Sequence, residues 1–371
     1  MRQSNIFVTR PYLPPLSEIL PYLEAIWENK ILTNNGPLHQ KLEGVLKANF
    51  SVEGLSLMNN GTSALMCPLM TLPKGSQVIT SPFTFAATTH SIAMLGLEPV
   101  FADIDPDYYG VTPSAVEAAI TPATSAILAV HTYGTPCDVE GLKSVADKYG
   151  LTLIYDSSHA FGVNYMGRSL VSYGDYSTLS FHATKSFNTF EGGAVISSST
   201  EREAIINKIK NFGIASESDI PMLGFNGKMS ELNAAVGLAQ LEHFEAIREA
   251  RREVHEWYVE NLESLEGIEI CKQRPGVQPN YSYFPILITR RSRRNRDEVF
   301  NLMSEMGVIA RRYFAPVMSG LPMYQKLPSA DPRNLPVANR IGAEVLCLPI
   351  YPDLSVDDRD RVLQSLKKAL Q

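Results

Sequence analysis

An α/β fold built on a largely parallel sheet is what this sequence predicts, and three observations predict it. Short apolar runs rich in β-branched residues alternate with stretches of helical period over the first two thirds of the chain, with Pro or Gly between them. The 371 residues, 44% of them hydrophobic, suffice for one large core and a second, smaller one. No period of about 20–50 residues recurs, which excludes repeat architectures.

The elements follow in order. SQVIT (76–80) reads as a strand and 85–95 as a helix; PVFADI (99–104) is a strand and 113–120 a helix. SAILAVHTY (125–133) is a strand, 138–149 a helix, and LTLIYD (151–156) a strand that ends on Asp156. GGAVISS (192–198) is a further strand, followed by a helix at 201–211 and a Gly- and Ser-containing loop to 224. The segment 230–265 keeps helical spacing for longer than an average helix and predicts one or two long helices that connect domains. Beyond it come strand candidates at 282–288 and 308–313 and helices at 294–306, 336–345 and 356–370. A boundary near 245 results, with a large domain over 1–245 and a smaller α+β domain over 246–371. Prolines around 12–15 and 328–336 mark loops.

Charge and composition exclude several functions. With 33 basic and 39 acidic residues interspersed and a net charge of −6, there is no electrostatic footprint for nucleic acid. The one basic cluster, RRSRRNR at 290–296, reads as a solvated turn between a strand and a helix. Cys67, Cys137, Cys271 and Cys347 lie far apart, without CxxC pairs or histidines at metal spacing, so neither a zinc site nor a disulfide framework is expected. The N-terminus lacks an apolar signal region and no run reaches the ~18 apolar residues of a membrane span. The expectation is a soluble, cytoplasmic protein with no membrane partner.

The chemistry is concentrated in SFHATKSFNTFEGGA (180–194). Taken alone, Lys185 reads as a solvated turn lysine; buried near a strand end, it becomes an amine able to form a Schiff base. Four other features suit one cofactor, pyridoxal phosphate (PLP). In NNGTSAL (59–65), Gly61, Thr62 and Ser63 precede an apolar helical run, where backbone amides and hydroxyls bind a phosphate. Phe85 in SPFTFAATTH sits where a loop turns into a helix and can stack on a pyridine ring. Asp156 ends its strand, at the carboxyl edge where ligands of a parallel sheet gather, and can hold a pyridinium nitrogen protonated. His159 follows three residues on, as either a cofactor contact or a structural histidine, and Ser180 lies five residues before Lys185.

The order GTSAL, TFAATTH, YDSSHAFG, SFHATKSFNTFEGGA, GFNGKMSELNAAVGLAQLE and LCLPIYPDLS resembles the DegT/DnrJ/EryC1/StrS sugar aminotransferases over nearly the whole chain. The resemblance implies a fold-type I PLP enzyme that aminates nucleotide-linked keto-sugars with L-glutamate as donor. It implies Lys185 as the Schiff-base lysine, Asp156 at the pyridine nitrogen, His159 near the ring hydroxyl, and Phe85 on the ring. Thr62, Ser63 and Ser180 would take the phosphate. Asn226, in GFNGKM, matches a family asparagine that reaches the neighbouring subunit's cofactor, which implies a homodimer with shared active sites. The chain departs from the family at Lys228, where arginine is frequent, and near Met318, where histidine is. TKSFNTFEGG, TNNGP and RRYFAP look closest to the branch that aminates carbon four of dTDP-4-keto-6-deoxyglucose. A dTDP-3-keto-6-deoxyhexose and a UDP- or GDP-linked keto-sugar are the alternatives, with Arg311, Arg312 or Lys228 as candidate diphosphate cations. A non-catalytic PLP-fold regulator or binding protein is the alternative of another class, disfavoured by the joint presence of Lys185 and Asp156.

Overall fold

The computed structural model describes residues 4–371. A seven-stranded sheet lies at its centre, formed by β1 (Gly54–Met58), β2 (Gln77–Thr80), β3 (Glu98–Phe101), β4 (Thr124–Val130), β5 (Thr152–Asp156), β6 (Tyr176–Ser180) and β7 (Gly193–Ser197). The spatial order is β1-β7-β6-β5-β4-β2-β3. Strands β2 to β6 pair in parallel, and β7 runs antiparallel to both β1 and β6. Buried on both faces, β4 is apolar from Ala126 to Val130, as a parallel strand covered by helices must be.

Five of these strands are the ones the sequence predicts; β1 and β6 are additional. The run Tyr-Ser-Thr-Leu-Ser of β6 looks too polar for a core strand, yet it is buried from Tyr176 to Leu179. Its hydroxyls find partners indoors: Ser177 pairs with Ser157 at 2.6 Å and Thr178 bonds the Tyr155 carbonyl at 3.4 Å. The segment predicted to extend β4 to 133 instead leaves the sheet at His131, and Tyr133 turns with φ 58°. The predicted helix at 138–149 forms over Val139–Tyr149. Asp138 caps it by accepting the Gly141 N–H at 3.0 Å, and Gly150 ends it with φ 65°.

Two N-terminal helices, Leu16–Asn29 and Pro37–Phe50, have no counterpart in the sequence reading; the first carries Pro21 within it and the second starts on Pro37. The long segment is two helices, Glu231–Glu242 and Phe244–Leu262, broken at His243. Beyond it, a three-stranded antiparallel sheet of Ile268–Ile270, Phe284–Ile288 and Val345–Leu348 packs with the helices Phe244–Leu262, Arg296–Glu305 and Val356–Leu370 around Tyr258, Phe284, Val299, Leu346 and Leu366. Of the strand predicted at 308–313 only Val308–Ile309 forms, paired in parallel with Ile6–Phe7.

The basic cluster is less solvated than predicted. Arg296 is buried and donates to the Gly342 and Val345 carbonyls at 3.2 and 2.8 Å, while Arg294 reaches the carbonyls of Lys368 and Ala369 near the end of the last helix. Asn295 and Glu298 form a reciprocal cap at the start of Arg296–Glu305.

Three contacts fasten the C-terminal part to the large sheet's edge. The Asp103 carboxylate accepts the N–H groups of Val337 and Ala338 at 3.0 and 2.9 Å, in the first turn of helix Pro336–Glu344. The Met318 N–H donates to the Pro82 carbonyl at 2.7 Å, and Met318 itself is buried in the core. The Tyr133 hydroxyl bonds the Tyr313 carbonyl. Together they hold Tyr313 and Phe314 over the carboxyl ends of β4 and β5. Among the described residues no helix is long and apolar enough to cross a membrane.

Candidate active site

Lys185 lies in the connection between β6 and β7, and apolar packing makes that connection rigid. Phe181 and Phe187 are fully buried, and Phe187 stacks on Phe161 with centroids 4.1 Å apart. The Phe181 N–H bonds the Gly192 carbonyl and the Thr189 N–H bonds the Phe181 carbonyl, so the loop closes on itself. Gly193 is required by close approach: a Cβ there would stand 2.7 Å from the carbonyl oxygens of Asn60 and Leu179. Two phenylalanines therefore anchor the loop and leave Lys185 on its cavity side.

That cavity, of about 270 Å³, is lined by Lys185 together with Gly61, Thr62, Phe85, Asp156, His159 and Ser180. Asp156 is buried at the end of β5. Its two oxygens accept from the Thr88 hydroxyl at 2.7 Å and from the Ser158 N–H at 3.1 Å, which fixes the carboxylate plane. Thr88 is held in turn by Thr84, one helical turn earlier, at 2.8 Å. His159 accepts the Tyr133 N–H at Nδ1, 3.2 Å away, which leaves the proton on Nε2. The imidazole lies parallel to Phe314 at 5.5 Å and edge-on to Tyr283 at 4.9 Å.

Another wall of the cavity is the start of helix Gly61–Leu69. Asn60 caps it by accepting the Ser63 N–H at 2.8 Å. A Cβ at Gly61 would come within 2.7 Å of the Ser180 Cβ, so glycine opens a cradle between the helix N-terminus and the Ser180 hydroxyl. Thr62 is exposed toward it. Ser63 is not part of the lining: its hydroxyl is bonded to Asn59 and to Asn60.

Burial and neighbouring charge set the protonation states. The Lys185 ammonium is pushed down to about 8 by burial, against a smaller upward pull from Asp156. His159 is driven well below the usual imidazole range by burial and then by Lys185, so it stays neutral. An amine that loses its proton near neutral pH, a committed carboxylate, a neutral N–H donor and an anion cradle thus share one cavity.

The chain matches the DegT/DnrJ/EryC1/StrS aminotransferase family over residues 16–367. It belongs to that family. Among curated relatives it is 46% identical over 367 residues, 99% of both chains, to a dTDP-4-amino-4,6-dideoxy-D-glucose transaminase of Shigella dysenteriae. It is 47% identical over 356 residues, 96% of both chains, to the Escherichia coli protein of the same name. Among solved structures, that of DesI in the presence of its TDP-sugar product superposes with a TM-score of 0.94 at 35% identity, covering 100% of this chain and 94% of the other.

In this aminotransferase the residues read from sequence fall into two groups. Lys185, Asp156, His159, Gly61, Thr62, Phe85 and Ser180 converge on the cavity. Asn226 does not line it: it is exposed, with its carbonyl accepting from Asn59 at 3.2 Å. The candidate diphosphate cations also lie elsewhere. Arg312 pairs with Asp297 at 2.8 Å, and Lys228 bonds Asn211 at 3.0 Å beside a separate cavity lined by Asn34, Asn35, His39 and Lys210. Sequence reasoning missed Thr84, Thr88, Tyr283, Tyr313, Phe314, His182 and Glu191. The i, i+4 spacing of Thr84 and Thr88 beside Phe85 was a usable signal; Tyr283 and Phe314 arrive from more than a hundred residues away, with none.

Proposed function

We propose that this protein is a PLP-dependent enzyme that moves an amino group from L-glutamate to dTDP-4-keto-6-deoxy-D-glucose, giving dTDP-4-amino-4,6-dideoxy-D-glucose. The observation that carries the cofactor reading is the convergence of a low-pKa lysine, a fixed carboxylate and a glycine-opened helix N-terminus on one cavity. The residues fit the group. Gly61, Thr62 and Ser180 suit its phosphate, Asp156 its ring nitrogen, Phe85 its ring face, and Lys185 its aldehyde. Bound there, PLP supplies an electron-withdrawing ring that acidifies the C–H beside the transferred nitrogen.

The chain's own residues do the rest. Lys185 Nζ, with a pKa of about 8, is a competent base at neutral pH and returns the same proton as an acid, the dual role both halves of a transamination need. Thr88 and Ser158 keep both Asp156 oxygens in place, so the carboxylate is oriented for the ring nitrogen. His159, neutral and tautomerically fixed by the Tyr133 N–H, offers a hydrogen-bond donor at Nε2 without adding charge.

The sugar assignment is supported by near full-length kinship at 46–47% identity to transaminases named for that product. Glutamate as donor follows from the family resemblance. A homodimer with shared sites is supported by the position of Asn226 outside its own cavity and by exposed Leu16, Leu20, Trp27 and Leu32 along the N-terminal helices and their connection. Four cysteines without a disulfide, three of them buried, suit the reducing cytoplasm.

The test follows the absorption of the PLP-loaded protein. Glutamate should bleach the yellow band, and after its removal dTDP-4-keto-6-deoxy-D-glucose should restore it. Recovery only with a 3-keto or a UDP- or GDP-linked sugar would move the substrate assignment; a protein that never takes up PLP would defeat the enzymatic reading.

A further inference from the structure

One wall of the cavity carries none of the residues assigned above to the cofactor. His182, Thr184 and Glu191 line it, all three exposed, and they flank Lys185 on the same loop. The Thr184 N–H, a donor in any protonation state, points at His182 Nδ1 from 3.3 Å, and the Thr184 hydroxyl lies 2.9 Å from the same nitrogen. Nδ1 is therefore an acceptor, and the remaining ring proton sits on Nε2, which faces Glu191 Oε1 at 3.7 Å. That contact is too long for a hydrogen bond and close enough to steer the carboxylate. Among the described residues nothing else bonds the Glu191 carboxylate oxygens; only its backbone carbonyl accepts, from the Thr189 hydroxyl at 2.8 Å.

The other carboxylate of the cavity and its His159 imidazole are already engaged: Asp156 is bonded to Thr88 and Ser158, and His159 Nδ1 to Tyr133. Glu191 is the one carboxylate of the lining with both oxygens available. A carboxylate accepts and never donates, which matches a ligand rich in hydroxyls and mismatches one rich in anionic oxygens.

We propose that Glu191, steered by His182, accepts hydrogen bonds from the ring hydroxyls of the sugar substrate and sets the direction in which the nucleotide-sugar enters. The proposal rests on the keto-sugar reading above and assigns that site its hydroxyl acceptor. The uncharged sugar ring occupies the Glu191 wall; the diphosphate, repelled by it, points out of the cavity. The same repulsion keeps the carboxylates of glutamate off this wall, so the two substrates respond to Glu191 with opposite sign.

That opposition makes the test. In Glu191→Gln, the KM for dTDP-4-keto-6-deoxy-D-glucose should rise about tenfold, the loss of one hydrogen bond to a charged acceptor, with kcat within about twofold. The KM for glutamate should stay level or fall. Glu191→Asp should recover part of the sugar affinity, and deoxy-sugars lacking one ring hydroxyl at a time should identify a hydroxyl whose removal costs wild type about tenfold and the Gln variant nothing further. The yellow band and its bleaching by glutamate report folding and the first half-reaction separately, in both variants. An unchanged sugar KM, or an equal loss for both substrates with the band intact, overturns the proposal. Wild-type protein that glutamate fails to bleach would instead break the aminotransferase reading.

Discussion

The inner end of the cavity and its mouth are built on opposite principles. At the inner end Asp156 and His159 are buried and each is fixed by protein hydrogen bonds, so their direction is set before any ligand arrives. At the mouth Phe85 is 58% exposed, and His182, Thr184 and Glu191 leave polar valences unspent. Chemistry common to every substrate belongs where geometry is locked; recognition of one substrate among several belongs where groups are still free to bond.

Substitutions can break that contrast, and the largest effect should come from the inner end. Lys185→Ala should lower kcat by at least about 10⁴-fold, since in the proposed mechanism one amine serves as attachment point, acid and base. Loss of the yellow band with PLP still retained checks that the site itself survives. Asp156→Asn should slow both half-reactions on the order of 100-fold, measured by stopped-flow absorbance, and Thr88→Val about tenfold through the same carboxylate. If Thr88→Val is silent, the locking of Asp156 is not what matters.

The pH dependence tests the Lys185 amine directly. Uptake of PLP should accelerate about tenfold per pH unit up to about pH 8 and then level, whereas an ordinary lysine would keep accelerating toward 10.5. The same depression has a stability sign. Between about pH 8 and 10.5 the unfolded chain binds the proton that the folded amine has lost, so this group's contribution to the stability of the PLP-free protein rises with pH across that window. Chemical denaturation at several pH values measures it against Lys185→Met, which should lack that component.

Smaller effects separate the two serines that sequence treats alike. Ser180→Ala should weaken PLP binding about tenfold, while Ser63→Ala, its hydroxyl turned to Asn59 and Asn60, should change it less than about twofold by equilibrium titration. Phe85→Leu, at the exposed mouth, should cost about threefold in PLP affinity through lost stacking.

Much of the inner end was legible because its groups ride on local signals. Asp156 closes an apolar run, Gly61 opens a helix, and Lys185 precedes the Gly-Gly pair at the start of β7; each is a short-range pattern tied to a backbone geometry. The polar strand β6 escaped because its hydroxyls find partners on a neighbouring strand and the loop beyond it. Ser63 was misplaced for a related reason: sequence shows a hydroxyl at a helix start, and only the fold shows which acceptor took it. By itself, then, the sequence determined the α/β alternation and the order of motifs, and singled out Lys185 and Asp156 as the candidates that the fold brings to one cavity, because periodicity and chain order are local. Only the tertiary structure decided that Tyr283 and Phe314 stand over His159, that Arg312 and Lys228 stay away from the cavity, and that Glu191 keeps both oxygens free. Those outcomes depend on which distant groups compete for the same hydrogen bonds, charges and space, and that competition exists only once the chain has packed.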